Sequence, residues 1–203
     1  MSKNLIIVFT RNPELGKVKT RLAKTIGNND ALNIYKFLLE HTQNTIRNID
    51  CDKAIYYSVK VRFKDIWDET IYHKFQQQGK DLGYRMLNAF QESFNNHYDK
   101  VVIIGSDLFD LKSKHIVQAF NQLDNNDVVL GPAEDGGYYL LGMKKLHPQV
   151  FKNKHWGTET VFEQTMQDLQ NLDVHLLEEL NDIDTFEDLK NYNELKNIIS
   201  YNG

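Results

Sequence analysis

The stretch NLIIVFTRNPELGKVKTRLAK, residues 4–24, joins a near-continuous apolar run to a basic loop and then to a segment of helical period. A run that is apolar on both faces suits a strand buried at the centre of a parallel sheet, and a helix directly after it makes the first βα unit. NLIIVFT is therefore read as the first strand. A helix is expected from about Lys17 and another from about Asn29, the latter carrying the stripe Leu32, Tyr35, Phe37, Leu38 and Leu39.

The same alternation continues outward. KAIYYSV (53–59) reads as a second strand, and HKFQQQ (73–78) as a more polar one. GKDLGYRMLNAF (79–90) reads as a helix that Asp81 can cap, and it bears Leu82, Met86, Leu87 and Phe90 on its apolar side. KVVIIGSD (100–107) is the clearest strand, with a helix expected near 113–124. DVVLGPA (127–133), GYYLLGMK (137–144) and VHLLEEL (174–180) supply further strands, and a last helix is expected to start near Asp184. Pro13 and Pro148 fall between these elements and Pro132 at the end of one, as the assignment demands. The expected fold is α/β, a single domain over 1–203, with a mostly parallel sheet.

Composition narrows the function. With 41% hydrophobic and 26% charged residues and a formal charge of −4, the 203-residue chain reads as globular, with no general attraction to nucleic acid or a membrane. Its one cysteine, Cys51, excludes an internal disulfide and a multi-cysteine metal site, and the histidines lack ligand spacing, so zinc is not expected. The start MSKNLIIVFTRNP has only five consecutive apolar residues, which fits neither a signal peptide nor a membrane span, so a cytoplasmic location is expected.

In open sheets of this class ligands bind beyond the carboxyl ends of the strands. Four such places carry unusual residues. Residues 11–24 hold Arg11, Lys17, Lys19, Arg21 and Lys24 against the single acid Glu14. A loop with Pro13 and Gly16 that runs into a helix start offers backbone N–H groups and a positive dipole end, suited to a di- or triphosphate. It is not a Walker loop, because Val18 follows Lys17. Lys17, Arg21 and Lys24 could form one solvated stripe; Arg11, Lys19 and Arg21 cannot share one, and these three are assigned to phosphate.

VVIIGSDLFDL ends a buried strand on Gly105, Ser106 and Asp107, which puts a carboxylate at the ligand edge; Asp110 reads as a cap for the next helix. Magnesium takes one or two protein carboxylates and completes its shell with phosphate and water, so Asp107 is the expected metal ligand. In NDIDTFEDL, Asp182 and Asp184 flank Ile183 and would face one side of an extended segment, where they could complete a metal site. Asp184 with Glu187 also reads as a capping box. In GPAEDGGYYLLG, Gly136 and Gly137 permit a tight turn or close ligand approach, and Glu134 and Asp135 could orient or deprotonate a hydroxyl. Trp156, ahead of a helix that Thr158 would cap, could stack on a sugar or base or simply pack.

In order, FTRNPELGKVKTRL, QQGKDLGYRM, IIGSDLFDL, GPAEDGGYYLLG and NDIDTFEDL span residues 9–189 and resemble the DUF2064 family of the GT-A glycosyltransferase superfamily. The resemblance implies a Rossmann-like GT-A fold with helices on both faces of a mixed, mostly parallel sheet. It implies a nucleotide-diphospho-sugar or NTP at the first loop, Arg11, Gly16, Lys19 and Arg21, and Mg²⁺ or Mn²⁺ on Asp107 with Asp184 as a second ligand. It also places Asp81, Gly83 and Arg85 beside the nucleotide or acceptor. Where the family has proline two residues after the strand-end Asp, this chain has Phe109, which implies a less rigid loop.

The expected activity is glycosyl transfer from a nucleotide-sugar to a small acceptor, with Asp107 and Asp135 as catalytic carboxylates and Glu134, Gly136, Gly137 and Trp156 around the acceptor. The absence of a G-x-G-x-R loop favours it. The alternative is nucleotidyl transfer from an NTP to a phosphorylated small molecule, because KVKTRLAKTIG is similar to the Lys-rich loop of deazaflavin-cofactor guanylyltransferases. A third reading is a non-catalytic nucleotide-binding protein of the same fold.

Overall fold

The computed structural model describes residues 3–199. One seven-stranded sheet forms its centre, made of β1 (Asn4–Thr10), β2 (Asp52–Tyr57), β3 (Tyr72–Gln76), β4 (Lys100–Ile104), β5 (Val128–Pro132), β6 (Tyr138–Met143) and β7 (Val174–Leu176). The strand order is β3-β2-β1-β4-β6-β5-β7. β6 runs antiparallel to β4 and β5, and every other pairing is parallel.

Side chains alternate across this sheet into two cores. Ile6 and Val8 of β1, with Val102 and Ile104 of β4, face α1 (Thr20–Ile46) and α3 (Ser113–Gln122), where Tyr35, Leu39, Ile116 and Phe120 wait. Leu5, Ile7, Val101 and Ile103 face the opposite layer, α2 (Leu82–Asn95) with a 3-10 turn at Pro148–Phe151 and α4 (Val161–Asp168). Ile6, Ile7 and Val8 are wholly inaccessible to solvent, and each contributes about 2 kcal/mol of burial on either side. That double burial is why β1 reads as continuously apolar.

Differences from the expected elements have local causes. Helix α1 begins at Thr20 rather than Lys17, because Lys19 sits in the left-handed region (φ 46°, ψ 46°), and Gly27 (φ 84°, ψ 161°) breaks α1 into the two expected segments. β3 is polar because it lies at the sheet edge and pairs only with β2. Asp110 caps nothing: its carboxylate accepts the Tyr192 hydroxyl, and the first turn of α3 is closed by His115 Nδ1 accepting the Lys112 N–H at 3.1 Å.

No helix starts at Asp184. Asp188 Oδ2 reaches back to accept the N–H groups of Asp184 (3.0 Å) and Thr185 (2.6 Å), and among the described residues only a 3-10 turn, Asp188–Asn191, and the short α5 (Asn193–Lys196) follow. The acid four residues on therefore takes the capping role that the sequence pattern assigned to Asp184. Thr158 likewise makes no cap; its hydroxyl donates to the His155 carbonyl at 2.8 Å, and α4 starts at Val161.

A third apolar cluster packs the tail onto α1. Leu22, Ile34 and Leu38 meet Ile183, Leu189 and Leu195 there. Phe109 joins it, with ring centroids 5.9 Å from Phe37, 5.1 Å from His41 and 5.3 Å from Tyr192. The loop after Asp107, expected to be less rigid for want of the family's proline, is thus anchored by aromatic packing. Among the described residues no helix is long and apolar enough to cross a membrane.

Candidate functional site

The chain leaves β1 toward α1 on one face and enters β4 from α2 on the other, so the crevice between the ends of β1 and β4 is the switch point of the sheet. The two segments with the most unusual residues begin there. One is the basic loop after β1, and the other is Gly105–Ser106–Asp107 after β4.

A buried hydroxyl network ties the two ends together. The Tyr35 hydroxyl, rising from α1, accepts the Arg11 N–H at 2.9 Å and lies 3.1 Å from Thr10 Oγ1 and 3.2 Å from Ser106 Oγ. Burial raises its pKa, and Tyr35 acts as a neutral hub. Asn12 fixes the other side of the loop: its Oδ1 accepts the Val59 N–H at 3.0 Å and its Nδ2 donates to the Lys60 carbonyl at 2.8 Å. Tyr35→Phe should leave the Arg11 N–H without its acceptor, and the Thr10 and Ser106 hydroxyls with each other at 3.2 Å but without the hub, and cost about 1–2 kcal/mol in urea unfolding. An unchanged midpoint would show that the network carries no net stability.

Lys19 points inward, unlike its basic neighbours. Its Nζ is 2.8 Å from Asp107 Oδ2, and its side chain is 4% exposed against 37% for Asp107. Burial alone would neutralise both groups, yet the attraction outweighs it. The Lys19 pKa is raised by Asp107, with help from Asp182 and Asp184, and the Asp107 carboxyl is held low by Lys19 and Arg11. Arg21 lies outside, 69% exposed, and pairs with Asp184 at 3.0 Å. Gly16 (φ 70°) supplies the turn that returns the loop to α1.

Beside the Lys19–Asp107 pair opens a cavity of about 230 Å³. Phe9, Leu82, Met86, Tyr138 and Trp156 form its apolar wall, and Asp107, Asp135 and Asp182 its acidic one. Asp182 arrives because the chain after β7 keeps running beside β5: Leu180 donates to the Pro132 carbonyl at 3.1 Å, Glu134 donates to that of Leu180 at 3.1 Å, and the buried Ile183 side chain anchors the next turn. Burial first, then Asp107, Asp135 and Asp184, push the Asp182 carboxyl up to about 6, against the pull of Lys19.

The other residues singled out from the sequence divide clearly. Asp135 and Gly137 line the cavity, with Asp135 Oδ1 accepting the Gly137 N–H at 2.9 Å to shape the turn between β5 and β6. Gly136 (φ 82°) does not line it; a Cβ there would sit 2.2 Å from the Glu159 carbonyl oxygen. Glu134, with Arg21 and Asp184, borders a neighbouring shallow cleft. Asp81 is the cap of α2, accepting the Tyr84 N–H at 2.9 Å, and Arg85 donates to the Gly79 carbonyl and to Gln77 Oε1. Gly83 makes room for the cavity wall, since a Cβ there would meet the Phe151 carbonyl oxygen at 2.4 Å and Trp156 Nε1 at 2.6 Å. Trp156 packs edge-on to Tyr138, centroids 6.4 Å apart, and also lines the cavity.

Among the described residues no three His, Cys, Asp or Glu side chains are grouped as a protein-only metal cage. A hard cation that takes one or two carboxylates still fits: Asp107 and Asp182 line one cavity, and the carboxylate repulsion felt at Asp182 is what a divalent ion relieves. Tyr35, Ser106 and Asn12 are the residues to which the sequence alone gave no site role, whereas Asp182 was read, with Asp184, as able to complete a metal site. Asp182 had a signal in its one-residue spacing from Asp184; the other three had none.

The family model described as "Uncharacterized protein conserved in bacteria (DUF2064)" matches residues 42–158. A solved structure from Desulfovibrio desulfuricans G20, provisionally named a nucleotide-diphospho-sugar transferase, is 32% identical with a TM-score of 0.85, covering 98% of this chain and 94% of that one. The 2-phospho-L-lactate guanylyltransferase of Methanocaldococcus sp. (strain FS406-22) is 27% identical over 135 residues, 64% of this chain and 55% of that protein. The chain thus spans little more than half the length of that curated relative. The inositol-1-phosphate CTP transferase of T. maritima shares the fold, at a TM-score of 0.58 and 13% identity over 100% of this chain and 98% of that one.

Proposed function

The chain belongs to the DUF2064 family, and from that premise and the geometry of the crevice we propose that it is a nucleotidyltransferase. It would join the nucleotidyl group of an NTP to a phosphorylated small molecule and release pyrophosphate. The observation that carries this is the Lys19–Asp107 pair at 2.8 Å, a phosphate-loop cation held against a strand-end carboxylate at the mouth of an aromatic cavity. The likeness to a guanylyltransferase supports nucleotidyl over glycosyl transfer.

An oxygen of the acceptor phosphate forms a bond to the α-phosphorus. The bond from that phosphorus to the bridging oxygen breaks, and its electron pair leaves with pyrophosphate. The attacking oxygen is already anionic, so no general base is required and Asp135 orients rather than deprotonates. Lys19, held on Asp107, and Arg11, whose main chain is held by Tyr35 at the end of β1, offset phosphate charge, and Arg21 adds to it from the rim. Asp107 and Asp182 would hold Mg²⁺ or Mn²⁺, which supplies Lewis-acid stabilisation of the phosphates when bound. Tyr138 and Trp156 offer faces for a base or an acceptor body.

The test is product identity. Incubation with Mn²⁺, a panel of NTPs and phosphorylated small acids should release pyrophosphate, and Lys24→Ala, an exposed residue outside the crevice, should stay within about twofold of the parent. Nucleoside diphosphate released from a nucleotide-sugar in place of pyrophosphate would establish glycosyl transfer instead. No thermal shift with any nucleotide would remove both readings.

A further inference from the structure

Two cavities of opposite character flank the end of β1, with Phe9 lining one and Thr10 the other. The first is the acidic, aromatic one described above. The second, about 220 Å³, lies on the α1 side of the loop after β1, between α1 and the connection from β2 to β3. Four cations line it from three separate segments: Arg11 from the loop, Lys36 from α1, and Arg62 and Lys64 from the connection. Among the described residues none of the four has a carboxylate within ion-pair distance.

Two acids share the lining, and one is already committed. Asp65 takes the buried Lys74 ammonium at 2.9 Å on Oδ1 and the Tyr57 hydroxyl at 2.6 Å on Oδ2. Lys74, 4% exposed, also donates to the Arg62 carbonyl at 3.0 Å, so the segment that bears Arg62 and Lys64 is pinned from below. Glu40 alone remains to balance four cations, in a chain whose formal charge is −4. Leu39, Ile66, Tyr57 and Trp67 give the cavity an apolar floor.

We propose that this second cavity binds a small phosphorylated molecule with an apolar body, at a site separate from the Asp107 crevice. Its cations converge from different segments onto one concave space, as recognition of a dianionic phosphate requires, and its floor suits the rest of a phosphate monoester. Arg11 lines this cavity alone of the two, yet its charge helps to hold the Asp107 carboxyl low in the other. Occupancy here would therefore be felt at the crevice.

The two tryptophans make the test site-specific, because Trp67 lines this cavity and Trp156 the other. In a Trp156→Phe protein the emission of Trp67 is followed while phenyl phosphate or inorganic phosphate is added. The expected result is saturable change, several-fold tighter for phenyl phosphate, weakened at least tenfold by Arg62→Ala with Lys64→Ala and kept in Asp107→Asn. Circular dichroism and unchanged melting confirm that the double variant is folded, since Arg62 and Lys64 side chains make no internal hydrogen bond among the described residues. Three results would each overturn the proposal: no Trp67 response, equal affinity for the two probes, or loss in Asp107→Asn with none in the Arg62 and Lys64 variant. None of them bears on pyrophosphate release, so nucleotidyl transfer is judged separately.

Discussion

Asp107→Asn is expected to reduce pyrophosphate release by at least about 100-fold and nearer 1000-fold, the range seen when a preorganised electrostatic group or its support is removed. The amide keeps the shape and can still accept from Lys19 Nζ, now 2.8 Å from the carboxylate. What it loses is charge. Lys19, 4% exposed, would then be a buried ammonium without its counter-ion, and the divalent cation would lose its strand-end ligand. Asp107→Ala should do the same and also destabilise by about 2 kcal/mol, below the usual cost of orphaning a buried charge because Asp107 is itself 37% exposed and screened. Steady-state pyrophosphate assays with urea unfolding separate the two effects. An Asn variant that keeps a tenth of the parent rate would remove Asp107 from the chemistry.

The second large effect has opposite signs for activity and stability. Asp182→Asn should also inactivate, yet stabilise the metal-free protein. Burial and three neighbouring carboxylates raise the Asp182 pKa to about 6, so between about pH 4 and 6 the folded chain holds a proton that the unfolded chain has released. Stability from this group therefore falls as pH rises through that window, and the deficit is complete above pH 6. The full shift corresponds to roughly 2–3 kcal/mol, and partial solvent screening reduces the expected gain in the Asn variant to about 1 kcal/mol. The gain should be near zero at pH 4 and largest at pH 7, and Mn²⁺ should stabilise the parent more than the variant. Equal unfolding midpoints at both pH values would show that Asp182 does not sit among uncompensated carboxylates.

Asp182 also shows where reading the chain stopped. Its spacing from Asp184 suggested two carboxylates on one side, and both do border the shallow cleft with Arg21 and Glu134. Only Asp182 enters the cavity, because the tail is held parallel to β5 through Leu180 and anchored by Ile183. Asp184 is drawn to Arg21 instead. The expected helix start at Asp184 failed for a related reason: Asp188 captured the free N–H groups from the other direction. Local rules offered both arrangements, and tertiary packing chose.

The basic loop divides in the same way. Its excess of positive charge after β1 was plain in the residues, and helical spacing already set Lys19 apart from the stripe of Lys17, Arg21 and Lys24. That Lys19 turns inward to Asp107 depends on a left-handed backbone at Lys19 and on a partner 88 residues away. Tyr35 read as one member of an apolar stripe; its hydroxyl binds two strand ends that no sequence pattern brings together.

By itself the sequence determined the α/β alternation, the central place of β1 and β4 and the strand ends at which chemistry gathers. Burial of apolar side chains acts residue by residue, so its period is written along the chain. Tertiary structure alone decided which charges act on one another: Lys19 with Asp107, Asp182 among carboxylates, and Arg11 of one cavity with Asp107 of the other. Coulomb energies depend on distance and solvent exposure, and both are set only when segments far apart in sequence pack together.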